Sequence, residues 1–319
     1  MTVIGYHASH EQFPPGMLLS AVRLAESVGF DAAMCSDHLA PWTRAQGESG
    51  YAWSWIGAAL ARTAFPIGLV TAPGQRYHPV IAAQAMATLE EMFPGRFWAA
   101  LGSGEALNEH VTGDAWPDKD ARERRLRDCV AVIRRLLTGD RISFEGSIRV
   151  HDAQIWSLPA SPPPLFGAAV SPDTAEWVAE WADGLITVGS DAAATQKVRA
   201  SYRAAGGTGD TALQVHISLE ATDEEALQAA REQWQHATSP PESMWDLEQP
   251  EQFEELAEPT EEGLRKAVII AHSAEDLAER VAQAAAGFDR IYLHHVGTDQ
   301  AAFLRRCETE LLPALRSRI

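Results

Sequence analysis

The sequence predicts an α/β protein built as a TIM (β/α)8 barrel with insertions. Eight short apolar runs alternate with helical patterns along its 319 residues. The runs are apolar throughout, as parallel strands buried on both faces are. Runs two and four end in ionisable residues, and a barrel of this class builds its site at the C-terminal ends of strands. A doubly wound open sheet is the competing arrangement, but His7-Ala8-Ser9-His10 follows the first strand where that fold carries a Gly-rich turn.

Residues 3–6 read as the first strand, and Pro14 and Pro15 open a helix with Leu18, Val22 and Ala25 on its apolar face. Residues 30–36 form strand two, 52–63 a helix, 65–71 strand three, 79–92 a helix and 97–102 strand four. The charged stretch 119–137 carries Leu126, Val130, Ile133 and Leu137 on one face, so its arginines belong to a solvated outer face. Residues 140–160 hold short β-like pieces, an excursion between units. Strands five to seven fall at 164–170, 183–188 and 213–219, each followed by a helix. Residues 239–263 are acidic and proline-rich, and read as short lid helices or as a solvated surface loop. A helix over 274–286, strand eight at 291–295 and a closing helix to Leu315 complete a single domain over 1–319.

A net charge of −18 argues against nucleic acid and against an anionic membrane surface, whose phosphates it would repel. Cys35, Cys129 and Cys307 form no CxxC pair, which fits a reducing compartment and no zinc site. No run approaches the roughly 20 apolar residues of a membrane span, and the start lacks a signal-peptide pattern. A cytoplasmic location is the expectation.

Two stretches carry the chemistry. Cys35-Ser36-Asp37-His38-Leu39-Ala40-Pro41-Trp42 takes an apolar strand into a carboxylate and an imidazole. Gly102-Ser103-Gly104-Glu105 ends strand four in small residues and an acid. Neighbouring strand residues point to opposite faces, so His294 and His295 cannot share a metal ion, and no metal is expected. His7 and His10 flank the end of strand one, either lining the pocket or lying in a solvated loop.

These motifs, with Gly5-Tyr6-His7-Ala8-Ser9, Arg76-Tyr77-His78-Pro79, Ala106-Leu107-Asn108-Glu109 and Ala182-Asp183-Gly184, resemble the luciferase-like oxidoreductase superfamily nearly end to end. The F420-dependent glucose-6-phosphate dehydrogenases are its similar, well-described branch. The resemblance implies a flavin or deazaflavin cofactor touched by Asp37. It sets His38 at the reacting centre, Trp42 stacked over it and Glu105 as partner acid. Gly104 and Asn108 become cofactor contacts, and Gly68-Leu69, ahead of Thr71, matches a bulge with a cis non-proline peptide. A neutral-range imidazole suits a general base, so His38 is expected to take a substrate proton and Glu105 to stabilise or shuttle it. A homodimer is implied as well.

The departures from that branch also speak. Thr187 persists, but Ser190 replaces a lysine, Met244 falls at the lid lysine, and only Lys266 remains nearby as a cation. Glucose 6-phosphate is therefore not the expected substrate. Val170-Ser171 replaces a Gly-Gly pair at the cofactor-phosphate loop, and the sequence resembles more closely a sister group assigned an ordinary flavin. FMN is accordingly favoured over F420. The Ser171 turn could bind a phosphate or simply cap its helix. An FMN-dependent monooxygenase and a non-catalytic flavin-binding barrel are the alternatives to hydride transfer.

Overall fold

A computed structural model describes residues 2–241 and 243–319. In chain order, β1 (Val3–Ala8), α1 (Pro15–Ser27), β2 (Ala32–Ser36), α2 (Ala52–Arg62), β3 (Ile67–Thr71), α3 (Pro79–Met92), β4 (Phe97–Leu101) and α4 (Ala106–Glu109) form the first half. A long helix α5 (Lys119–Leu137) leads to an antiparallel hairpin, β5 (Ile142–Glu145) and β6 (Arg149–Ala153), which is the expected excursion. The second half runs β7 (Leu165–Ala168), α6 (Pro172–Val178), β8 (Gly184–Val188), α7 (Ala192–Ala204), β9 (Thr211–Leu219) and α8 (Asp223–Trp234). Next come α9 (Pro250–Leu256), α10 (Glu261–Ala267), β10 (Ile269–Ala271), α11 (Ala274–Ala284), β11 (Arg290–His295), α12 (Gln300–Arg306) and α13 (Leu312–Arg316).

Eight parallel strands close a barrel in the order β1-β2-β3-β4-β7-β8-β9-β11, with β11 returning to β1. One strand was not foreseen. Ile217 of β9 faces His295 of β11 on one side and Ile269 of β10 on the other, so β10 extends the β9 edge beyond the end of β8. Three residues are too few to show a period in sequence.

Met34, Trp98, Phe166, Ile186 and Tyr292 pack the barrel interior. Two glycines make room for them: a Cβ on Gly68 would lie 2.0 Å from the Trp98 ring, and one on Gly5 2.3 Å from Tyr292. Gly68 is thus a packing residue against Trp98, and Leu69 turns outward into the fully buried layer beneath the helices. No peptide bond among the described residues is cis, so the expected cis bond at this bulge is not present.

Helix starts follow local chemistry. Pro15, Pro79 and Pro172 each stand in a first turn, where their missing N–H costs nothing. Thr222 and Glu225 form a reciprocal capping box on α8. The α5 reading needs one correction: Arg122 is buried, donating to the Pro117 carbonyl at 2.8 Å with its guanidinium over Trp116. Among the described residues no helix is long and apolar enough to cross a membrane.

Candidate active site at the barrel mouth

The ends of β1, β2 and β4 converge on His38. Its Nε2 lies 3.4 Å from Glu11 Oε1 and 3.8 Å from Glu105 Oε2. The other ring nitrogen, Nδ1, is 3.3 Å from the Asn108 side-chain amide, which also donates to Glu105 at 3.3 Å. The Leu39 N–H donates to Asn108 Oδ1 at 2.8 Å, which fixes the orientation of that amide. Asn108 therefore donates to Nδ1, and the proton of neutral His38 sits on Nε2, between the two carboxylates.

The carboxylates differ in character. Glu11 is buried and accepts from Ser9 Oγ at 2.9 Å and Ser36 Oγ at 2.8 Å. Burial pushes its pKa up, but His38, His7 and the Ser36 hydroxyl outweigh that and bring it to about 2. Burial raises Glu105 above the usual carboxylate range, against the pull of His38. Glu105 reaches the mouth because Gly104 turns the chain at φ +87, with Glu105 as the residue preceding α4.

Sequence reasoning missed Glu11. Its signal was available: like Asp37 and Glu105, it is an acid shortly after a strand end. His7, left open in the sequence, is buried and stacked on His294 at 4.2 Å between ring centroids. His216, His236 and Trp234 join this group, the Trp234 ring lying 4.5 Å from both His216 and His294 and 4.7 Å from His236. The Gln214 amide faces His216 Nε2 at 3.2 Å and His294 Nδ1 at 3.3 Å. Gln12 accepts from His294 Nε2 at 2.8 Å. Burial lowers His7 to about 4 and His216 and His236 to about 3, so these rings are neutral near pH 7. Among the described residues, both nitrogens of His7 lack a hydrogen-bond partner. His295 faces outward and stacks on Phe303 at 4.3 Å, so the adjacent pair does point to opposite sides.

Asp37 is held by its own chain. Thr71 donates to one oxygen at 2.7 Å, Tyr77 to the other at 3.0 Å, and Arg76 lies 3.4 Å away. Arg76 also donates its backbone N–H to Glu109 at 2.6 Å. Trp42 tilts against His38 at 4.9 Å, stacks flat on His236 at 5.1 Å and meets the edge of Phe253 at 5.3 Å. The 239–263 segment does cover this region, with Phe253 fully buried and the Ala106 N–H donating to the Trp245 carbonyl at 3.0 Å. Leu256 of the same segment is exposed.

The expected substrate residues divide. Thr187, Ser190 and Lys266 line one cavity with Val170, on the side of β8 that packs against α7, and Met244 is not among its walls. Ser171 caps α6, accepting from the Thr174 N–H at 3.3 Å.

The sequence profile described as luciferase-like monooxygenase matches residues 1–301. The chain belongs to that family. Among its relatives is the F420-dependent glucose-6-phosphate dehydrogenase of Beutenbergia cavernae, 35% identical over all of this chain and 98% of the relative. The enzyme of the same name from Microbacterium testaceum is 36% identical, over 98% of this chain and 97% of its own. An F420-dependent secondary alcohol dehydrogenase in complex with an F420-acetone adduct superposes with a TM-score of 0.90 at 29% identity, covering 99% of each chain. This luciferase-like chain is thus aligned along its whole length with enzymes of one cofactor class.

Proposed function

We propose that this protein is an oxidoreductase that moves a hydride between a flavin-type carrier and a small organic substrate. The observation that carries the reading is His38 set between Glu11 and Glu105 at the mouth of the barrel. The residues suit such a carrier: neutral buried imidazoles with unpartnered nitrogens surround the mouth, and the Ser171 and Thr174 hydroxyls stand at the turn after β7. Asn108 and Ser171 would hold the carrier, which when bound accepts and returns the hydride.

The chain's own work is then proton management. The substrate hydroxyl proton passes to Glu105, whose raised pKa makes it the acceptor, while His38 keeps its Nε2 proton and donates a hydrogen bond to the substrate oxygen. Glu11 remains charged and faces the Nε2–H of His38, which fixes the ring. Trp42, Phe253 and the lid exclude water from the reacting centre.

FMN is the carrier favoured by Val170, half exposed at the phosphate turn, and by the charge of −18. FMN ends in one phosphate, whereas F420 continues into a chain of carboxylates that such a surface repels. F420 is the second reading, favoured by the names of the relatives. Titrating the protein with each carrier and following absorbance decides between them, and failure of both to bind would sink the proposal. Oxygen uptake coupled to product would reassign the reaction as a monooxygenation.

A further inference from the structure

The β9 wall of the mouth carries a hydrogen-bond chain whose direction is fixed at one end. Gln12 Nε2 donates to the Val296 backbone carbonyl at 2.9 Å, so Gln12 Oε1 is an acceptor. His294 Nε2, 2.8 Å from that oxygen, therefore carries a proton. Burial holds His294 well below the usual imidazole range, so the ring is neutral. Its Nδ1 then has no proton and accepts from Gln214 Nε2 at 3.3 Å. The same Gln214 nitrogen donates to His216 Nε2 at 3.2 Å, which leaves the proton of neutral His216 on Nδ1.

Two groups are left over, the acceptor Gln214 Oε1 and the donor His216 Nδ1–H. Among the described residues neither has a hydrogen-bond partner, and no charged side chain bonds to either. Gln214 and His216 share a face of β9 with Ala212, which packs in the barrel interior. Both are half-buried, whereas Leu213 and Val215 on the other face are fully buried. Their place is on the wall that leads to the reacting centre. Rings pass from His38 through Trp42, His236 and Trp234 to His216 in centroid steps of 4.5 to 5.1 Å. An uncharged group that donates to Oε1 and accepts from Nδ1–H through a single atom is a hydroxyl.

We infer that Gln214 and His216 bind a second, non-reacting hydroxyl of the substrate, next to the one that meets His38, so that the substrate is a diol. The inference rests on the oxidoreductase reading and names its substrate class. Butane-2,3-diol and pentane-2,4-diol are the probes, each paired with the alcohol in which a methyl replaces one hydroxyl, 3-methylbutan-2-ol and 4-methylpentan-2-ol. All four are titrated by calorimetry into protein loaded with FMN, or with F420 if that carrier binds more tightly. The wild type should bind one of the diols at least about 10-fold more tightly than its methyl counterpart, as two hydrogen bonds to the added hydroxyl imply. Gln214→Met and His216→Phe should each remove most of that gap by weakening the diol, with the methyl compound held within about 2-fold. His216→Phe leaves the bond from Gln214 to His294 in place, so it decides the matter if Gln214→Met does not fold.

A wild type that binds neither diol more tightly than its methyl counterpart, or binds no diol, overturns the inference. So does a variant that weakens diol and methyl compound alike, which would leave its residue a packing role only. Carrier absorbance in the same samples reports the reaction separately. A diol preference that needs Gln214 and His216, without carrier reduction, would keep the β9 site and remove the reaction. Carrier reduction with equal binding of diol and methyl compound would do the reverse.

Discussion

Glu11 Oε1 stands 3.4 Å from His38 Nε2, in a pocket where two serine hydroxyls hold the carboxylate ionised. Glu105 is farther from the same nitrogen and raised by burial. Two acids on one imidazole are therefore pushed apart in proton affinity, an arrangement that separates a fixed charge from a mobile proton.

His38→Ala and Glu105→Gln should each cut turnover by about 100-fold or more while carrier affinity stays within a few-fold. Glu11→Gln should lower kcat without moving the carrier affinity, because its oxygens contact Ser9, Ser36 and His38. Stopped-flow reduction of bound carrier reads all three. A His38→Ala enzyme that keeps its rate would remove His38 from the chemistry.

The buried histidines make the protein acid-sensitive. His7, His216 and His236 have folded pKa values near 4, 3 and 3, against 6.5 in the unfolded chain. The unfolded state binds their protons first, so stability complete above pH 6.5 is lost as pH falls toward the folded values. Glu11 acts in the same direction, its contribution fading between its ordinary value of 4.5 and about 2. Each histidine withdraws roughly 2 kcal/mol by about pH 5. Circular dichroism across pH should show unfolding well above pH 3.

His7→Phe separates that effect from function. Both ring nitrogens of His7 lack partners among the described residues, so a phenyl ring loses no hydrogen bond to them and keeps the stack on His294. Removing the unpaired polar atoms should stabilise the fold at pH 7 by about 1 kcal/mol and move the acid transition to lower pH. A lowered Tm at pH 7 would show that a bound water or ligand satisfies His7.

How far this was legible from sequence follows from where each residue stands. Asp37, His38 and Glu105 were readable because each ends an apolar run, where a charge is conspicuous. Glu11 sits four residues beyond His7 among other polar side chains, and only the closing of β11 onto β1 brings β1 into the ring of strand ends. His216 was a polar residue in an apolar strand, a signal that could have been used. His236 follows α8, and its place against Trp42 depends on the lid path, which no local pattern encodes. The close packing at Gly5 and Gly68 depends on Tyr292 and Trp98, residues remote in sequence.

Asp37 is built as a support. Its side chain is wholly buried, with Thr71, Tyr77 and Arg76 around it. Asp37→Asn leaves the Arg76 guanidinium, itself only 10% exposed, without one of its two acids and should cost about 3 kcal/mol. Thr71→Val removes one hydrogen bond and should cost about 1 kcal/mol. Urea unfolding measures both, and an Asp37→Asn protein as stable as wild type would remove the supporting role.

The lid is held by a ring stack more than by charge. Arg44 pairs with Glu254 at 2.8 Å, but the arginine is 68% exposed, and ion pairs so placed hold little. Phe253 is fully buried against Trp42, which in turn stacks on His236. Truncating a buried phenyl ring costs about 3–5 kcal/mol in a core, and here the loss falls on the lid segment itself. Phe253→Ala should therefore speed amide exchange over 243–257 by about 10-fold or more, while β1 to β4 stay protected. Arg44→Ala should change exchange there by no more than a few-fold. Equal loosening in the two variants would transfer the hold to the ion pair, and the water-excluding role of the Trp42–Phe253 contact would fall with it.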